Sequence, residues 1–93
     1  MIIKGKVFIV TGASSGIGKQ LSKSLAKNGA HVVCAARSKD QINSLSDSIK
    51  SFGGSSFAIQ TDVTILKECA KMIEKTIELY GKIDCLVLNA GIS

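Results

Sequence analysis

Val7-Phe8-Ile9-Val10-Thr11-Gly12-Ala13-Ser14-Ser15-Gly16-Ile17-Gly18 carries the decision about the fold. The apolar run 7–10 predicts a strand buried on both faces. Gly12, Gly16 and Gly18 remove Cβ atoms where a backbone bends tightly or approaches another group closely. Residues from Gly16 onward open a helix whose free N–H groups and positive dipole end point back at the turn. The stretch is therefore a seat for a phosphate or pyrophosphate.

Outward from that turn, strands and helices alternate. The first helix is predicted over 16–28 and stops at Asn28-Gly29. A second apolar strand follows at 31–36. Ser38-x-x-Gln41 has the form of a capping box, and Ile42, Leu45, Ile49 and Phe52 recur at helical spacing until Gly53-Gly54. A third strand is expected at 56–61, with Phe57 and Ile59 on one side. Thr64 is the expected N-cap of a third helix, which sets Leu66, Cys69, Ala70, Ile73 and Ile77 on one face and ends at Gly81. Residues 83–88 form the fourth strand and Asn89-Ala90-Gly91 another turn. The order βαβαβαβ predicts an α/β fold with a parallel sheet and right-handed crossovers.

Composition narrows the function classes. The chain has 93 residues, 45% hydrophobic and 20% charged, which makes one small globular domain rather than a disordered segment. No apolar run reaches membrane-spanning length, and the N-terminus lacks the pattern of a secretory signal, so a cytoplasmic setting is expected. Cys34, Cys69 and Cys85 show no metal-ligand spacing and read as buried reduced thiols. His31 reads as a solvated or strand-edge imidazole. The net charge of +5 raises nucleic-acid binding. Lys19, Lys23 and Lys27, opposite Ile17, Leu21 and Leu25, read instead as a solvated helix face, and no aromatic residues interleave to stack bases.

With these residues in place, the chain closely resembles the short-chain dehydrogenase/reductase family along its whole length. The markers are Thr11-Gly12-Ala13-Ser14-Ser15-Gly16-Ile17-Gly18, Asp62-Val63, Tyr80-Gly81-Lys82-Ile83-Asp84 and Leu88-Asn89-Ala90-Gly91. The resemblance implies an incomplete Rossmann-type doubly wound sheet of strand order 3-2-1-4. Helices one and two would share a face and helix three would take the other. It implies that Gly12, Gly16 and Gly18 shape the pyrophosphate turn, with Ser14, Ser15 and Ile17 against the cofactor. Asp62 would accept from the adenine amine with Val63 beside the ring, and Asn89, Ala90 and Gly91 would border the ribose.

Cofactor choice turns on the end of the second strand. Folds that prefer NAD place an acidic residue about 20 positions beyond the glycine turn, whereas this chain has Ala36-Arg37-Ser38 there. An arginine offers charge-assisted, bidentate hydrogen bonds to a ribose 2′-phosphate, and Ser38 adds a donor. NADP(H) is expected in preference to NAD(H). The family's reaction is hydride transfer between nicotinamide and an alcohol or carbonyl substrate, and it needs a serine and a Y-x-x-x-K motif. The single tyrosine, Tyr80, has no lysine four residues on and reads as a packing residue. The chain is thus expected to be the cofactor-binding portion of a longer oxidoreductase, inactive alone, with a truncated nucleotide-binding or regulatory module as the alternative. Strand four would form an open edge through which the fragment self-associates.

Overall fold

The computed structural model describes residues 2–14 and 16–89, so the expectations at Ser15, Ala90 and Gly91 lie outside the described residues. The elements run β1 (Val7–Thr11), α1 (Gly16–Lys27), β2 (His31–Ala36), α2 (Lys39–Ser51), β3 (Ser55–Gln60), α3 (Leu66–Tyr80) and β4 (Cys85–Val87). The strands form one sheet in the order β3-β2-β1-β4, and every pairing is parallel. In register, Val7 meets His31, Phe8 meets Cys85 and Val32 meets Ser56.

Alternation along the central strands divides the core in two. Phe8, Val10, Val32, Cys34 and Ala36 point to one face, where Leu25 and Ala26 of α1 and Ile42, Leu45 and Ile49 of α2 cover them. Ile9, Val33 and Ala35 point to the other face, under Met72 of α3. The two-sided arrangement explains why β1 and β2 read as continuous apolar runs rather than as alternating ones. No helix among the described residues is long and apolar enough to cross a membrane.

Several local expectations are corrected. The first strand extends to Thr11, because Thr11 pairs with Ala35 and its hydroxyl donates to the Val87 carbonyl at 3.3 Å. The first helix closes one residue early, at Lys27. The third strand begins at Ser55, opposite His31, and Thr61 lies past its end while its N–H still donates to the Ala36 carbonyl. The fourth strand is only Cys85–Val87. Just before it, the Asp84 carboxylate accepts the Val7 N–H at 2.7 Å, so a side chain bonds to the backbone of β1 there.

The helix starts differ too. Ser38 is the N-cap of α2, but its hydroxyl makes no capping hydrogen bond, so the capping box does not form. For α3 the N-cap is Ile65 rather than Thr64. The Asp62 carboxylate takes both the hydroxyl and the amide of Thr64, at 2.6 and 2.9 Å, which withdraws that hydroxyl from capping.

Burial on α3 departs most from the sequence reading. Its buried residues are Met72 and Thr76, whereas Leu66, Ile73 and Ile77 are 84%, 41% and 45% exposed. The cysteines also divide, since Cys34 is buried while Cys69 and Cys85 are only half-buried. Burial pushes the Cys34 thiol up, partly offset by hydrogen bonding to Ser56 and Ser22. That thiol therefore stays protonated and inert at neutral pH. His31 sits at the edge of β2, with Nδ1 2.8 Å from the Ser55 hydroxyl. Its ring stacks on Tyr80 at a centroid distance of 5.0 Å, which makes Tyr80 a packing residue.

Candidate functional site

The glycine turn leaves β1 at the carboxyl ends of the strands, between the exits of β2 and β4. Gly12 has φ +61° and Gly16 φ +56°, a left-handed region that costs other residues energy. Gly18 is constrained by space instead. A Cβ there would strike the Gly12 carbonyl oxygen and lie 2.8 Å from Asn89 Nδ2. A Cβ on Gly12 would lie 2.8 Å from the Asn89 carbonyl oxygen. The close approach that these glycines permit is therefore largely to the chain itself. At Gly16 an added Cβ would meet nothing within 4 Å, so that part of the turn borders open space.

Asn89 fixes the turn from the far side. Its Nδ2 donates to the Gly12 carbonyl at 3.1 Å, and its backbone N–H donates to Thr11 Oγ1, also at 3.1 Å. Thr11 Oγ1 in turn donates to Val87. The β4 end and the glycine turn thus form one hydrogen-bonded unit, which holds the turn in shape before any ligand arrives.

A cavity of about 460 Å³ opens beside this unit. Thr11, Gly12, Arg37, Asp62, Val63 and Asn89 all line it. Five of the expected cofactor residues therefore surround one space although they come from four separate segments. Asp62 is set by its local turn. The Thr64 hydroxyl and amide hold its carboxyl below the ordinary value of 3.8, and the charge of Arg37 acts in the same direction. Its backbone N–H donates to Glu68 Oε1 at 2.9 Å, which anchors the Asp62 loop to the first turn of α3. Arg37 is exposed at the end of β2, and its carbonyl accepts Gln60 Nε2 at 3.0 Å.

The remaining expected residues are placed elsewhere. Ser14 lines a second cleft, between α1 and α2. Gly16 and Ile17 border a shallow hollow on the outer side of α1, where the Ile17 side chain is 79% exposed. Gly18 is buried under the turn, and Ser38 stands half-buried at the start of α2. Sequence reasoning missed part of the cavity wall. Cys69 and Ile73 of α3 line it together with Leu86 and Leu88 near β4. The signal was present as i, i+4 spacing on α3 and as alternation at the end of the chain. Read separately, each pattern indicated core rather than a shared wall.

These residues fit a dinucleotide. The fixed turn, the open space at Gly16, the buried Ser14 hydroxyl without a partner and the largely apolar cavity with a few polar groups suit a pyrophosphate joined to an adenosine. The sequence profile described as short chain dehydrogenase matches residues 6–93. An uncharacterised oxidoreductase of Listeria monocytogenes is 47% identical over 92 residues, spanning 99% of this chain and 37% of that protein. An 11-beta-hydroxysteroid dehydrogenase-like protein of Arabidopsis thaliana is 38% identical over 92 residues, which is 98% of this chain and 31% of that one. Among solved structures, a hydroxysteroid dehydrogenase from Escherichia coli superposes with a TM-score of 0.94 at 39% identity, covering 97% of this chain and 38% of that one. A metagenomic short-chain oxidoreductase in complex with NADP gives 0.91 at 32% identity, with 99% of this chain and 42% of the other covered. The chain thus spans roughly a third to two fifths of the length of these relatives.

Proposed function

Because the chain belongs to the short-chain dehydrogenase/reductase family, whose members use a nicotinamide dinucleotide, we propose that it is the cofactor-binding part of a cytoplasmic NADP(H)-dependent oxidoreductase. When bound, the nicotinamide donates or accepts the hydride exchanged with an alcohol or carbonyl carbon of a small-molecule substrate. Gly12, Gly16 and Gly18 seat the pyrophosphate, with Ser14, Ser15 and Ile17 beside it. Asp62 and Val63 take the adenine, and Asn89, Ala90 and Gly91 border the ribose. Arg37 and Ser38 select the 2′-phosphate. Serine, tyrosine and lysine groups that move the proton would lie outside these 93 residues, so this chain alone transfers no hydride.

One observation carries the cofactor choice. Arg37 lines the same cavity as Gly12 and Asp62, at the point where a carboxylate would instead favour an unphosphorylated ribose. A guanidinium there gains charge-assisted bonds to a 2′-phosphate that NAD(H) lacks. Affinities for NADP(H) and NAD(H), measured on wild type and Arg37→Ala, test the assignment. The NADP preference should fall by roughly ten- to a hundredfold in the variant. A preference that survives the substitution unchanged overturns it.

The alternative, a non-catalytic module, draws on the exposed wall of α3 and β4. Leu86 is 41% and Leu88 69% exposed, and among the described residues β4 pairs only with β1. A module working through that edge would bind nucleotide and associate with a second copy. A longer transcript encoding Y-x-x-x-K after Ser93 favours the enzyme, whereas a stop codon and a nucleotide-binding dimer favour the module.

A further inference from the structure

We propose, on the reading above that Asp62 takes the adenine, that Glu68 is the positioning residue for that contact. Its carboxylate holds the Asp62 backbone and so aims the Asp62 side chain at the 6-amino group of the base. Glu68 Oε1 accepts the Asp62 N–H at 2.9 Å, six positions back along the chain. The next residue repeats the tie, since Cys69 Sγ donates to the Val63 carbonyl at 3.4 Å. Asp62 and Val63 are thus each fastened to the start of α3, although neither belongs to a strand or a helix.

The helix start explains why this carboxylate is available. Ile65 is the N-cap of α3 and makes no side-chain capping bond, because an isoleucine has no acceptor to offer. A glutamate three residues into a helix ordinarily reaches back to the N–H of the N-cap. Here the Ile65 N–H already donates to the Asp62 carbonyl at 3.0 Å. Glu68, at that third position, reaches past it to the Asp62 N–H. Both backbone polar groups of Asp62 are therefore engaged, one by Ile65 and the other by Glu68.

With its backbone fixed, the Asp62 side chain is directed as well. The Thr64 hydroxyl and amide both donate to Oδ1, at 2.6 and 2.9 Å, which leaves Oδ2 for a donor from the cavity that Asp62 lines. A base with an exocyclic amine presents such a donor. A base with a carbonyl in the same place presents an acceptor, which a carboxylate repels. The site should therefore distinguish adenine from hypoxanthine, and the distinction should depend on Glu68. Without the Glu68 carboxylate the loop relaxes before nucleotide arrives, and part of the energy of the adenine contact goes to reordering it.

The test is calorimetric titration of the full chain with NADP+ and with nicotinamide hypoxanthine dinucleotide phosphate, in which a carbonyl replaces the 6-amino group. The wild type should prefer NADP+ by about tenfold, the size of one charge-assisted hydrogen bond. In Glu68→Ala the preference should fall to about twofold or less, through weaker NADP+ binding with the analogue unchanged. Glu68→Gln keeps an oxygen acceptor for the Asp62 N–H and should restore the preference. Glu74→Ala, exposed on the same helix, should leave it as in wild type. Amide hydrogen exchange without nucleotide gives a second readout, in which the Asp62 amide should exchange about tenfold faster in Glu68→Ala and as in wild type in Glu68→Gln. A preference that survives Glu68→Ala, or an equal loss for both ligands, overturns the positioning role while leaving Asp62 at the adenine. An Asp62 amide that stays protected in Glu68→Ala overturns it too. Equal binding of both ligands by the wild type overturns the adenine reading itself.

Discussion

On the α1/α2 face of the sheet, Ile42, Leu45 and Ile49 are each 2% exposed or less, whereas α3 buries only Met72 and Thr76 and leaves Leu66, Ile73 and Ile77 largely in the open. The strands do not cause the difference, since Ile9 and Val33 are as apolar and as buried as Val10 and Val32. It arises in the covering layer, where two helices meet over one face and one helix crosses the other. A helix in that position is apolar on two sides, toward the sheet and toward whatever lies beyond it. The cavity beside the glycine turn opens where the thin layer ends, walled by Ile73 and Cys69 of α3 and by Leu86 and Leu88. The packed face is thus the scaffold, and the thin face supplies the site.

The largest effect should come from the packed face. Ile42→Ala removes a side chain with 0% exposure and should cost about 2–5 kcal/mol. Leu66→Ser on the thin face should change stability by no more than about 0.5 kcal/mol. Denaturant titration of the two variants checks the contrast, and equal losses would break it. A smaller cost, about 1–3 kcal/mol, is expected for Gly18→Ala, whose Cβ meets the Gly12 carbonyl and the Asn89 side chain. That substitution should also displace the turn and weaken every dinucleotide alike, NAD+ as much as NADP+, in contrast to Arg37→Ala.

The smallest effect sharpens a second contrast, between the two ends of the sheet. At the end away from the site, the Val7 N–H holds the Asp84 carboxyl below its ordinary value of 3.8, and Lys82 and Lys6 add to the shift. A carboxyl with a lower pKa folded than unfolded adds stability above its unfolded value, and that stability is lost as pH falls through the folded value. Asp62, depressed by Thr64 at the site end, behaves in the same sense. Asp84→Asn keeps an acceptor for Val7 but removes the charge. Between about pH 5 and about pH 2, its melting temperature should therefore fall less steeply than that of the wild type. Parallel slopes in thermal melts would show that Asp84 contributes nothing to the pH dependence.

Much of the architecture was legible before any coordinates. The apolar runs at 7–10 and 31–36, the glycine turn and the helical spacing of Ile42, Leu45 and Ile49 predicted the element order and the parallel sheet, and the family resemblance implied its 3-2-1-4 arrangement. Strand alternation and helix periodicity are local properties, fixed by backbone geometry that every chain shares. The glycine turn and the end of the second strand singled out Gly12 and Arg37, and the family resemblance singled out Asp62, Val63 and Asn89, and all five line one cavity. Errors arose where two segments compete for one partner. The Thr64 hydroxyl donates to the charged Asp62 carboxylate instead of capping α3, and just before the fourth strand the Asp84 carboxylate accepts the Val7 N–H.

The sequence alone therefore determined the order of strand, turn and helix, and which charges stand near the glycine turn. Tertiary structure decided what those residues face. Gly18 turned out to make room for Gly12, Cys69 to line a cavity rather than fill the core, and Ser14 to end in a cleft with its hydroxyl unanswered. Periodicity specifies which side of an element is apolar, but burial depends on how many other elements arrive on that side. That number is a property of the assembled sheet rather than of any stretch of its sequence.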